Sequence, residues 1–313
     1  MQRVTLTQSG LGVSPDEVSR VFAPFVVARH AAGDPAWEAE LARRDAKFRR
    51  RYWRRRLLGG WRGWQRHGGT VKAEYEKAWA SIDYAEYDPA RTPPRVSPWE
   101  WRGERYAASD VGGTRVRQLL LVRVLEQIRP RRVLEVGCGN GVNLMLLAGR
   151  LPEVSFTGAD LTREGPRAAR ALQREAELPR PMQAYAPLPL ADVTAFRRVD
   201  FATGDATRLP FPDGAFDLVV TILALEQMER VRDAALREIA RVAGRHTVMI
   251  EPFAELNDRG RRLHYTVARD YFRGRIDDLL RYGLVPKLAL DDFPQESFLG
   301  ACLVLAEKRG ATP

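Results

Sequence analysis

The sequence predicts a doubly wound α/β domain over its C-terminal two thirds, with a parallel sheet covered by helices on both faces. Two patterns predict it. From about residue 115, short apolar runs alternate with stretches of helical periodicity, the pattern of repeated strand–helix units. The run 216–225 is almost wholly apolar, as expected of a strand buried on both faces.

Taken in order, Val116, Leu120, Val124 and Ile128 recur every fourth residue, with Leu121 and Leu125 beside them. That is a helix face, and Pro130 stops it. Arg132–Val136 is a short buried strand that runs into Gly137-Cys138-Gly139-Asn140-Gly141. A helix follows through Leu144, Leu147, Ala148 and Leu151. Residues 154–159 read as the second strand, ending at Asp160, and 168–177 as its helix. Residues 199–203 give a third strand with Gly204 and Asp205 at its end, and 216–225 a fourth. Val231, Ala235, Ile239 and Val242 share the next helix face, with Gly244 as terminator. Residues 246–251 form a fifth strand, and 270–282 a helix with Phe272, Ile276, Leu279 and Leu280 inward, capped by Gly283. Strands near 287–291 and 302–308 complete a seven-stranded sheet as an antiparallel edge pair.

The polar clusters fall at strand ends, where such sheets bind ligands. Three glycines at alternate positions let the backbone turn tightly and let a ligand lie against the main chain. A dinucleotide fingerprint would need glycine at position 142, which is Val142, so a ligand without a pyrophosphate fits better. Asp160 lies about 20 residues past that loop, where an acid accepts from ribose hydroxyls; opposing a helix dipole is its structural alternative. Asp205 ends the third strand, where it can accept from an exocyclic amine or act as an ordinary turn acid.

Together these clusters resemble the class I S-adenosylmethionine (SAM)-dependent methyltransferases, in particular the ubiquinone/menaquinone type of small-molecule methyltransferase. The resemblance rests on VLEVGCGNG at 133–141, TGAD at 157–160, GDA at 204–206, LPF at 209–211, FDLVV at 216–220, LE at 225–226 and LREIARV at 236–242. It covers roughly residues 115–310 and implies a Rossmann-like sheet with SAM as cofactor. It also implies roles. Gly137, Gly139 and Gly141 pass under the methionine part, and Glu135 supports that loop and the amino group. Asp160 holds the ribose, while Asp205 and Ala206 hold adenine. Cys138, Leu161, Thr221 and Ile222 complete the cofactor set, with the backbone at 221–223 beside the transferring methyl. The chain departs from the pattern in Gln227, which stands where relatives often carry histidine, in the turn 243–246, and in an insertion at 178–198.

Methyl transfer is chiefly alignment of nucleophile, carbon and sulfur, and a protonated acceptor also needs a base. Glu226, Glu251, His264 and Tyr265 are the candidates, each with a plain structural alternative. Nothing in the spacing of the two cysteines, Cys138 and Cys302, suggests a disulfide framework or a zinc site, and a reducing cytoplasm is the expected setting. The opening MQRVTLTQSG lacks a signal peptide's apolar stretch, and no apolar run is long enough to span a bilayer.

All seven tryptophans precede residue 102 and the formal charge is +10, with arginines dense over 43–72. A Pro- and Arg-rich stretch at 88–98 precedes a boundary expected near 109–113, dividing a mainly helical extension, 1–110, from the methyltransferase domain, 111–313. Trp37, Leu41, Phe48 and Tyr52 share a helical face among Arg49, Arg50, Arg54 and Arg55; Gly59 and Gly60 then break the helix before Trp61 and Trp64. The favoured reading packs that face on the domain and leaves the arginines solvated. The alternative is contact with an anionic membrane or a nucleic acid through 43–66. A lid is a third expectation, with Tyr75, Trp79, Tyr84, Tyr87, Trp99, Trp101 and Tyr106 as aromatic walls.

The leading expectation is therefore an enzyme that methylates O, N or C of a small or lipophilic metabolite. The rivals are a nucleic-acid methyltransferase and a non-catalytic SAM-fold binding protein. Against the first rival, residues 221–224 read TILA rather than the Asn/Asp-Pro-Pro-aromatic of exocyclic base-amine enzymes.

Overall fold

The computed structural model describes residues 1–57, 68–80 and 83–310. Helix α1 (Pro15–Phe22), strand β1 (Val26–His30) and helices α2 (Pro35–Leu57) and α3 (Gly68–Trp79) open the chain. Strands β2 (Ser97–Trp101) and β3 (Glu104–Ala108) form a hairpin before helix α4 (Asp110–Ile128). Then come β4 (Arg132–Val136), α5 (Val142–Arg150), β5 (Ser155–Asp160), α6 (Glu164–Leu172), α7 (Arg180–Tyr185), β6 (Asp200–Thr203) and β7 (Phe216–Ile222). The chain finishes with α8 (Arg232–Val242), β8 (Ala243–Glu251), α9 (Ala254–Asn257), α10 (Gly260–Arg269), β9 (Leu284–Leu290), β10 (Gln295–Glu296) and β11 (Cys302–Lys308).

The main sheet has seven strands in the order β6-β5-β4-β7-β8-β11-β9. Strands β6, β5, β4, β7 and β8 run parallel. At the far edge β11 pairs antiparallel with both β8 and β9, so the reversed strand is the penultimate one and β9 lies outermost. Strand order reverses between β4 and β7, which opens a crevice at their C-terminal ends. Backbone N–H groups of Arg131 and Arg132 both donate to Asp217 Oδ2 and fix the start of β4 against β7.

A second sheet, β1-β3-β2-β10, was not legible in the sequence. Its first three strands come from the extension, but β10 comes from the loop between β9 and β11. Trp99 of β2 is buried against α4, where Gly113 leaves room for its ring, and Gly112 does the same for Phe25. Leu6, Phe22, Phe25, Trp99 and Tyr106 share one apolar core with Val116, Leu120 and Val133. The insertion forms α7, whose buried Tyr185 donates to Val111 O on α4 at 2.8 Å.

Several local expectations change. Gly244 lies within β8 because α8 passes straight into that strand at Ala243. The helix expected at 270–282 shortens to a 3-10 helix at Ile276–Tyr282, and the α-helix of this region, α10, lies before it and is closed by Asp270 in the left-handed conformation (φ 60°). Helix α6 starts and ends earlier than expected. Helix α2 packs Trp37, Leu41 and Phe48 on Ala268 and Phe298, as the favoured reading has it. Gly59, Gly60, Trp61 and Trp64 lie outside the described residues.

Candidate active site

The crevice opens into a cavity of about 690 Å³. Its floor is the turn after β4. Gly137, Gly139 and Gly141 take left-handed φ values of 80°, 52° and 75°, which L side chains adopt only under strain. A Cβ on Gly139 would lie 2.5 Å from the Trp79 ring, and one on Gly137 would lie 2.5 Å from the Ala224 Cβ. Gly137 and Gly139 line the cavity. Gly141 does not: it caps α5, and a Cβ there would strike the Phe201 ring.

Glu135, Cys138, Asp160, Leu161, Asp205, Ala206 and Ile222 also line the cavity. Thr221 does not, because its side chain is fully buried in β7. The Asp160 carboxylate organises the loop: Oδ2 accepts from Gly139 N–H at 2.8 Å, and Oδ1 accepts from Thr162 N–H and hydroxyl at 2.8 and 2.6 Å. Asp205 Oδ1 accepts from Thr207 N–H and hydroxyl, both at 2.8 Å. Glu135 is 2% exposed; Oε1 accepts from Asn143 at 3.2 Å, while Oε2 is buried with no partner. Burial pushes its carboxyl up to about 7, and Asp160 adds to the shift against the Asn143 hydrogen bond.

These residues fit SAM. An unpaired buried carboxylate oxygen suits an ammonium group, a side-chain-free turn suits an extended chain lying on the backbone, and two strand-end acids suit hydroxyl and amine donors. Asp160 and Asp205 each keep lone pairs beyond those the protein uses.

The four base candidates separate. Glu226 is buried, lines the cavity and accepts from Gln227 Nε2 at 2.8 Å. Tyr265 lines it too, but burial pushes its phenol far above its ordinary value, which makes it a donor. His264 lies outside the cavity on α10 and bonds Asp45 of α2 at 2.7 Å, a helix-to-helix pairing that removes it from the site. Glu251 lies fully buried behind the wall, where Oε1 accepts from Ala224 and Leu225 N–H at 3.0 and 3.1 Å and holds the loop after β7.

Of the expected aromatic walls, Tyr75, Trp79 and Tyr87 line the cavity. Tyr84, Trp99, Trp101 and Tyr106 do not; the last three belong to the second sheet and its packing. Sequence reasoning missed Arg117, Asp110 and Thr114 on α4, and Glu296 on β10. The spacing of the first three on one helix face was a usable signal; Glu296 had none, because β10 is placed by the second sheet.

Residues 134–249 match the family model described as a methyltransferase domain. The chain is 28% identical over 156 residues to ajmaline N-methyltransferase of Rauvolfia serpentina, covering 46% of each chain. It is 33% identical over 115 residues to fatty-acid O-methyltransferase of Mycolicibacterium smegmatis, covering 37% of this chain and 34% of the relative. Among solved structures it is similar to magnesium protoporphyrin IX methyltransferase of Synechocystis PCC 6803 with bound SAM, with a TM-score of 0.44 and 18% identity over 64% of this chain and 85% of that one. The chain spans less than half the length of these curated relatives.

Proposed function

We propose, on the methyltransferase-domain match of residues 134–249, that the chain is a class I SAM-dependent methyltransferase and that the whole protein methylates a small, largely apolar acceptor bound beside the cofactor in this one cavity. When bound, SAM supplies a methyl group already activated on a sulfonium. The chain's own residues bind, orient and exclude water. Glu135 takes the ammonium group, the turn 137–139 carries the chain lying over it, and Asp160 and Asp205 receive the ribose and adenine ends.

The observation that carries the proposal is the pairing of an orphaned Glu135 Oε2 with the glycine turn in one cavity that continues to Glu226 and an aromatic wall. Helix α3 is the lid. Its Val71, Tyr75 and Trp79 face the cavity, and its Glu76 accepts from the backbone N–H groups of Arg163 and Glu164 at 3.0 and 2.9 Å, latching α3 to the start of α6. Glu226, which lines the cavity, is the base we assign to accept a proton from a hydroxyl or amine acceptor.

Transfer of labelled methyl from SAM to an extract of apolar metabolites tests the proposal. Label in the organic fraction, lost in Glu135→Gln, is the expected result. Label confined to added RNA, or SAM bound with no product in any fraction, would replace it with a nucleic-acid enzyme or a binding protein.

A further inference from the structure

A second set of polar side chains lines the same cavity and belongs to none of the cofactor-facing strand ends. Asp110, Thr114 and Arg117 share one face of α4. Arg117 is only 6% exposed. Its Nη2 donates to Thr114 Oγ1 at 2.9 Å, and its Nε is buried with no partner. Among the described residues it makes no ion pair; Glu296, Asp110 and Glu226 act on it only through space. A buried guanidinium left in that condition is costly, and a ligand that fills its open donors removes the cost.

The acids around it lie near without pairing with it. Burial pushes the Glu296 carboxyl upward, Asp110 and Glu226 reinforce the shift, and Arg117 and Arg262 oppose it. Arg262 is turned to the backbone, with Nη2 donating to Glu296 O at 3.1 Å. Glu226 accepts from Gln227. Met228, Tyr265, Tyr271 and Leu299 give the surrounding wall an apolar character.

We propose that Arg117 is the specificity-determining residue of the acceptor end and recognises a carboxylate carried on an otherwise apolar acceptor. A planar guanidinium matches a carboxylate through two parallel N–H bonds, a geometry that neither an amide nor an amine reproduces. Calling this ligand the acceptor rests on the methyltransferase reading; the recognition of a carboxylate does not.

The test is calorimetric titration of the full chain with decanoate and 2-naphthoate, each beside its neutral amide and the corresponding primary amine, with and without S-adenosylhomocysteine. The carboxylates should bind at least tenfold tighter than their amides, and Arg117→Gln should erase that difference while leaving S-adenosylhomocysteine affinity within about twofold. Arg117→Lys should keep part of it, and Glu296→Gln, which leaves the guanidinium in place, should keep most of it. If Arg117→Gln fails to fold, the ordering of the three ligand classes on wild type and on Glu296→Gln still decides. Tighter binding of the amines, equal binding of carboxylate and amide, or no binding of any probe overturns the proposal. Loss of S-adenosylhomocysteine binding alone overturns the methyltransferase reading instead, because the titrations without it continue to report on Arg117.

Discussion

Glu135 shows how burial and function meet at one side chain. Its carboxyl is lifted to about 7 because water is excluded and Oε2 has no donor. To hold an ammonium group it must be ionised, so below pH 7 binding has to expel a proton. SAM affinity should therefore rise with pH to about 7 and level off above, with proton release visible in buffers of different ionisation enthalpy. Glu135→Gln should flatten that profile and weaken binding about tenfold to a hundredfold, the scale of one hydrogen bond to a charged group. Gly139→Ala combines a left-handed φ with a clash against Trp79, and should lose cofactor binding in a chain that still folds.

At the same scale, the acids that line the cavity were legible because strand, turn and acid follow one another in sequence. Gly141 and Thr221 do not line the cavity, and only three-dimensional packing distinguishes a glycine facing Phe201 from one facing the cavity, or a buried threonine from a lining one. His264 misled for a related reason: residues 260–269 form a helix whose apolar side meets α2, and the imidazole turns to Asp45.

Among the elements, the loop after β7 and the helix α3 close the site from opposite sides. Glu251 holds the loop from behind. Its carboxyl rises from an ordinary 4.5 to about 8, chiefly through burial. The unfolded chain gives up this proton first, so the contribution to stability is complete below about 4.5 and is lost as pH rises through about 8. Glu251→Gln keeps the oxygen that accepts from Ala224 and Leu225. It should remove that slope and raise unfolding free energy at pH 8 by on the order of a few kcal/mol; a steeper slope in the variant would contradict the assignment. On the other side, the Glu76 carboxylate sits below its usual range because the Arg163 and Glu164 N–H groups bond it. Glu76→Ala should speed amide exchange at Arg163 and Glu164 and accelerate SAM dissociation without lowering the melting temperature; unchanged release would remove α3 as a lid.

Strand and helix order along the domain could be read from periodicity, because strands covered on both faces are nearly pure apolar runs. The second sheet could not. Its strands are short and rich in aromatic and charged residues, and its partner β10 is two residues long.

For the molecule as a whole, the extension is built into the domain's core. Trp99 packs on Gly113, and truncating it to alanine should cost about 3–5 kcal/mol, lowering one cooperative transition and not a separate one. The outer face of α2 carries Arg49, Arg50, Arg51 and Arg56, with Trp53 49% and Leu57 77% exposed among them. Arg55 instead turns inward to donate to Val267 O at 2.7 Å. Binding to anionic vesicles should accordingly be salt-sensitive and lost when the four outer arginines become glutamine, and should survive Arg55→Gln in folded protein. Helix α2 thus packs its aromatic side on α10 and presents Arg49, Arg50 and Arg51 on its exposed side.

The most direct measurement is calorimetric titration of SAM and S-adenosylhomocysteine into the wild-type chain, Glu135→Gln and Gly139→Val. Micromolar binding by the wild type, weakened in the first variant and abolished in the second with both still folded, is the predicted result. No binding by folded wild-type protein, or equal binding by all three, would contradict the assignment of this cavity to the cofactor.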